Sequence, residues 1–178
     1  MTSPTEQMRQ RMKAVQEKSV AIGWFEGNTY AHSGIPVALV AYFNEVGGSR
    51  TLKNGNTVIL PARAPMRKTM NEKGNTIHKR FANAINKAMN DGNVDQWFNQ
   101  FGMATASDFQ DTIESGDFQR NAESTIHGMI LGYNADGSPR RAGYAATRKD
   151  RTFGQGKGKD TPLIDSGQLK NTLTYKVN

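Results

Sequence analysis

The chain has 178 residues, 36% of them hydrophobic, with a net charge of +7 and a mean hydropathy of −0.67. That length fits one domain, or one domain with an arm, and the apolar content is lean for a globule of this size. The absence of cysteine excludes disulfide frameworks, thiol nucleophiles and thiolate metal sites. The opening residues carry no apolar core of signal-peptide type, and no run approaches the length of a membrane span. The expectation is a protein made in the cytosol, or in a particle assembled there, with no membrane partner.

From Pro4 to Glu17, Met8, Met12 and Val15 lie four and three apart, which predicts a thin apolar stripe on a short helix capped by Ser3. Such a helix packs weakly on the body or docks on a neighbouring subunit. Ser19 to Glu26 is a β-rich run with Val20, Ile22 and Trp24 on one face and Ala21, Gly23 and Phe25 on the other. With apolar groups on both faces, it reads as a central strand. Pro36 to Val46 reads as a short buried helix stopped by Gly47 and Gly48. Glu45 falls at its C-terminal end, where the helix dipole disfavours an acid, so a local partner such as Arg50 or Arg63 is expected.

Thr51 to Leu60 predicts a β-hairpin turning at Asn54-Gly55. If it projects, Lys53, Asn54, Gly55 and Asn56 are candidate subunit contacts. After Pro61 and Pro65, the apolar residues Met66, Met70, Ile77, Phe81, Ile85 and Met89 recur at helical intervals to Asn90, with Gly74 weakening the middle. Asp91-Gly92-Asn93 is a break. A short aromatic helix is predicted from Val94 to Phe101, and a third helix from about Ser107 to Leu131, kinked or divided at Ser115-Gly116. Tyr133 to Thr161 has no helical or strand period and reads as a flexible, glycine-rich loop. Order returns at Pro162, with a one- to two-turn helix carrying Leu169 and a final strand in which Leu173, Tyr175 and Val177 alternate. That strand needs a sheet, and Ser19 to Glu26 is the expected partner. The organisation is therefore an arm (1–18), an α+β core (19–132) with hairpin 51–60 and helices within 65–131, the basic loop (133–161), and a returning tail (162–178).

Charge is concentrated. Arg140, Arg141, Arg148, Lys149, Arg151, Lys157 and Lys159 face only Asp150 in the span from Pro139 to Lys159, leaving the rest of the chain nearly neutral. These cations suit nucleic-acid phosphates, acidic surfaces of neighbouring proteins, or a solvated linker. Catalytic constellations do not emerge. His32, His78 and His127 lie in different elements without a second ligand at metal spacing. Asp108, Asp111 and Glu114 share a helix face that reads as solvated. Gly154, Gly156 and Gly158 follow no strand and open no helix, so they make a weak phosphate cradle. The reading is a non-enzyme without cofactor or metal.

Three blocks carry a family likeness. They are Pro36, Val37, Val40, Ala41, Asn44, Glu45 and Gly47; Pro61, Ala62, Arg63, Met66 and Arg67; and Pro162, Leu163, Ile164, Asp165, Gly167, Gln168 and Leu169. Their order and spacing resemble the tail-completion, or head–tail joining, proteins of tailed bacteriophages, the HK97 gene-product-10-like neck proteins. Ala64 and Pro65 stand where that family usually has proline and then an aromatic. The resemblance implies a small, mostly antiparallel sheet with a long helix packed across it. It also implies a homo-oligomeric, sixfold ring in the virion neck, around the DNA channel, contacting the head connector and the tail tube or tail terminator, with non-specific DNA contact at most. An accessory protein that binds nucleic acid through 139–159 is the alternative. Within the second block, Arg63 is expected to pair with Glu45 and pin the short helix to the long one.

Overall fold

The computed structural model describes residues 3–31, 33–51, 55, 57–121, 130–133, 135–141, 162–164 and 166–178. These fall into two compact units, Met1–Gly116 with Gly167–Asn178, and Asp117–Ser166. The first is an α+β fold. Its elements are α1 (Pro4–Gln16), β1 (Val20–Gly23), α2 (Val37–Val46), β2 (Gly48–Thr51), β3 (Thr57–Leu60), α3 (Pro65–Asp91), α4 (Val94–Ser115), α5 (Gln168–Asn171) and β6 (Thr174–Val177). The second contains β4 (Ile130–Tyr133) and β5 (Pro139–Arg141).

The two long helices form the frame. Pro65 opens α3, and its inward face follows the helical period through Thr69, Ile77, Ala84 and Ala88. Gly92, at φ 82°, stops it with an N–H bond to Ala88 O at 2.8 Å. The chain then turns back at once. Asp91 holds the corner, accepting from the Asn93 N–H and from the Trp97 indole N–H, each at 2.8 Å. Arg11 of α1 adds a cap, donating to Met89 O at 2.9 Å and to Asn90 O at the negative end of α3.

Helix α4 is one continuous element where the sequence predicts two. Val94, Phe98, Phe101, Thr105, Phe109 and Thr112 keep one buried seam across 102–106, the gap between the two predicted helices. Phe81 of α3 packs on Phe98 and Phe101, with ring centroids 5.8 and 5.0 Å apart. The core gathers Ala88, Val94 and Phe98 with Ala14, Val15, Val20 and Val177. Helix α1 sits on this core through Ala14 and Val15, but none of its residues is buried and Met8 and Met12 stay half-exposed.

The chain termini meet as expected. Strand β1 pairs antiparallel with β6, Val20 opposite Val177 and Gly23 opposite Thr174. The pair lies on α4, where Gly102 admits the ring of Tyr175; a Cβ there would stand 2.3 Å from Tyr175 Cδ2. Strand β1 has β6 as its one strand partner among the described residues, so it is not the central strand that its two apolar faces predict.

The hairpin begins earlier than expected, pairing Gly48 with Leu60 and Thr51 with Thr57. Of the predicted Asn54-Gly55 turn, Asn54 lies outside the described residues and Gly55 has a positive φ of 82°. Helix α4 ends at Ser115, at the division that the sequence predicts for the third helix; residues 122–129 lie outside the described residues, and Ile130–Leu131 belong to β4 instead of that helix. Strand β4 pairs with β5, inside the segment read as a loop. Asp136 shapes the connection by accepting from the Ser138 N–H at 2.9 Å and hydroxyl at 2.6 Å.

Two substitutions of the same kind have opposite expected signs. At Gly74 a Cβ meets only Met70 Cε, at 3.8 Å. Gly74→Ala is expected to raise stability by about 0.5–1 kcal/mol through helix propensity. Gly102→Ala is expected to lower it by roughly 1–3 kcal/mol, because Tyr175 has to move. Urea denaturation of both variants checks the pair. A second outcome concerns pH. The Asn93 N–H, and then the Trp97 indole, hold the Asp91 carboxyl below its ordinary value of 3.8. A depressed folded value means that Asp91 stabilises the fold above the ordinary carboxylate range, and that this contribution is lost as pH falls through the folded value. The melting-temperature gap between wild type and Asp91→Ala is therefore expected at pH 6 and should shrink below pH 4.

Candidate functional site

The first two family-like blocks meet at the junction between α2, the hairpin and α3. Asn44 braces the end of α2, its Nδ2 donating to Val40 O at 2.8 Å. Its backbone carbonyl accepts from the N–H groups of Arg63 and Ala64, at 2.8 and 2.9 Å. Gly47 leaves the helix at φ 73° and passes so close to the returning strand that a Cβ would stand 2.9 Å from Leu60 O and Ala62 N. A side chain is excluded there both by the left-handed backbone and by space.

Glu45 is the centre of this junction. Its Oε2 accepts from the Met66 N–H at 2.9 Å and its Oε1 from the Arg67 N–H at 3.1 Å. These are first-turn donors of α3, whose N-cap residue Ala64 has no side-chain oxygen to offer and sits in a left-handed conformation at φ 45°. The carboxylate thus caps α3 from another helix. A charge unfavourable at the end of α2 becomes favourable at the start of a 27-residue helix. The side chain is only 22% exposed, and Arg67 Nε stands 3.9 Å from it. The sequence assigned this link to Arg63. The partners of Glu45 are instead the Met66 and Arg67 amides with the Arg67 guanidinium, while Arg63 contributes its backbone N–H to Asn44.

The third block closes a second junction. Gln168 Nε2 donates to Thr29 O, and the Trp24 indole N–H to Leu169 O, both at 2.7 Å. Leu169 and Leu173 are buried beneath.

Outside the first junction lies apolar surface. Helix α2 buries Val37 and Ala41 but exposes Leu39, Tyr42, Phe43 and Val46, with Tyr42 59% exposed. These positions follow i, i+3, i+4, i+7, a full helix face. Phe43 and half-exposed Leu60 also line a groove of about 220 Å³ that reaches Pro61 and Arg63. Contiguous apolar surface of this kind marks an interaction site more often than chance exposure does.

The other sequence candidates are less gathered. Gly55 is exposed at the hairpin tip with φ 82°, whereas Lys53, Asn54 and Asn56 lie outside the described residues. Arg140 and Arg141 are in β5; Arg148, Lys149, Arg151, Lys157 and Lys159 lie outside the described residues. His78 is exposed on α3, and His32 and His127 lie outside the described residues. Asp108 is not on a solvated face. It is 17% exposed and binds Arg80 at 2.6 Å and Lys73 at 3.5 Å, tying α4 to α3. Glu114 pairs with Lys170 of α5 at 2.8 Å. Among the described residues no cluster of three or more His, Asp or Glu could hold a metal, and no helix is long and apolar enough to cross a membrane.

Compared with models of known protein families, with curated proteins and with solved structures, the chain gives no match.

The cap makes a measurable forecast. Glu45→Ala removes an acceptor from two helix-start amides and is expected to cost about 1–2 kcal/mol. Glu45→Gln, which keeps an acceptor oxygen, should cost less. Arg63→Ala should cost less than Glu45→Ala, since the Arg63 contribution to the cap is a backbone N–H that alanine retains. Chemical denaturation of the three variants gives the order.

Proposed function

We propose that the chain is a structural subunit of a tailed-bacteriophage virion, a neck or tail-completion protein forming part of a ring that joins the tail to the head connector around the DNA channel. One observation carries this reading. The residue blocks that resemble head–tail joining proteins are the residues that build the two junctions, Asn44, Glu45 and Gly47 against Pro61 to Arg67, and Gln168 and Leu169 against Thr29 and Trp24. The likeness therefore coincides with a folding framework rather than with scattered surface positions.

Two further features support the reading. The uncharged outer face of α2 and the exposed hairpin suit a subunit whose burial is completed by neighbours. The α+β fold, with a long helix on a small antiparallel sheet, is the architecture that the resemblance implies. In this role the protein works by shape and surface, without a catalytic step or cofactor.

The test is complementation. Phage lacking the gene is expected to yield filled heads and separate tails, and purified protein added to that lysate should restore infectious particles. Replacing Tyr42 and Phe43 together by aspartate leaves the buried face of α2 intact and should lower the yield by at least about tenfold, as expected for loss of central apolar contacts. Normal joined particles without the gene product, or its absence from their necks by labelled electron microscopy, would refute the reading.

A further inference from the structure

Strand β1 carries apolar groups on both faces, yet among the described residues a strand pairs with only one of its edges. Ser19 and Asn178 exchange both backbone bonds, at 3.1 and 3.0 Å. In an antiparallel ladder the bonded direction alternates, so Ala21 and Gly23 face β6 while Val20 and Ile22 turn their N–H and C=O groups to the opposite edge. Among the described residues no strand pairs there. Neither lysine nor proline guards this edge, and a bare edge of Val and Ile is a template for another strand.

Beside the end of β1 runs a groove of about 350 Å³, walled by Ile22, Trp24 and Phe25 on one side and by Ala38, Tyr42 and Met66 on the other. Glu26 is exposed just beyond it, with no ion-pair partner among the described residues. The chain also carries a matching element. The β2–β3 hairpin is a two-stranded ribbon, a form that is marginal in water by itself. Its strands have four residues each, the length of β1, and Ile59 stands 74% exposed on it. From Gly48 to Leu60 the segment holds Arg50 and Lys53 and no acid, opposite in sign to Glu26.

We propose that the β2–β3 hairpin of a second copy of this chain adds to the free edge of β1, setting its apolar side chains into the groove and its cations beside Glu26. This deepens the reading of the chain as a self-assembling subunit and rests on it. The contact is head-to-tail. Each copy offers a hairpin and receives one, so the chain of contacts closes into a ring if the rotation permits. Backbone pairing supplies the affinity, and the groove and Glu26 supply the register.

Analytical ultracentrifugation of the full-length protein, with hydrogen exchange at the Val20 and Ile22 amides, tests this. Association is expected as concentration rises, with exchange at those two amides slowing in step. Ile59→Asp, at an exposed position, should weaken association by about tenfold or more while leaving the circular dichroism unchanged. Glu26→Lys and the double variant Arg50→Glu, Lys53→Glu should each associate poorly, and mixing them should restore assembly, since each then meets an oppositely charged partner. A monomer at every concentration, oligomers whose β1 amides exchange freely, or undiminished association of Ile59→Asp would overturn the contact. Oligomers with freely exchanging β1 amides leave the neck reading standing; that reading falls instead on absence of the protein from the particle.

Discussion

Helix α3 begins without a capping side chain, and the fold depends on a carboxylate brought from elsewhere to complete it. A helix start presents backbone N–H groups that its own hydrogen-bond ladder cannot use. Ala64 offers them nothing, and Pro65 fixes the backbone without adding an acceptor. Glu45 does so from the last turn of α2, which locks the angle between a 10-residue and a 27-residue helix and fixes where the hairpin between them must leave and return. Gly47 is part of the same constraint. The close crossing of the chain over Leu60 and Ala62 leaves no room for a Cβ, so the residues after Glu45 depart along one path.

Helix α4 is held by a different device. Its four acidic residues are each met by a cation from elsewhere in the chain: Asp95 by Lys18, Asp108 by Lys73 and Arg80, Asp111 by Lys73, Glu114 by Lys170. The exposed pairs contribute little individually. The Arg80–Asp108 pair is more enclosed and lies between the two long helices, where it fixes the register that the Phe81, Phe98 and Phe101 cluster also needs. The β1–β6 pair then lies on α4, and the close approach of Tyr175 to Gly102 sets its distance.

With this framework built, the molecule keeps much of its apolar content outside. Helix α2 presents apolar groups on its buried and its outer faces alike, and Ile59 and Leu60 of the hairpin next to it are exposed. A chain whose apolar share is lean to begin with gains little from such an arrangement as a lone monomer. The outer face of α2, the ribbon and the edge of β1 that has no strand partner among the described residues are the surfaces that the proposed assembly would cover.

Much of this was legible in the residues because the signals are local. The apolar spacing after Pro65 gives α3, Gly92 ends it, Asn54-Gly55 marks a hairpin, and the alternation at both termini calls for strands that pair. What the sequence left open was what long-range contacts decide. Glu45 shows a misplaced charge in the sequence, but which cation or amide resolves it depends on where α3 starts in space. The continuity of α4 through Gly102 depends on Tyr175 filling the space that a side chain would take. Strand β4 was missed because its apolar residues also fit a helix period, and only Asp136-Gly137 hinted at the turn to β5. Local periodicity fixes where elements form, since backbone hydrogen bonding and side-chain spacing act over a few residues. Caps, close crossings and strand partners join residues far apart in the chain, so they were settled only when the elements packed.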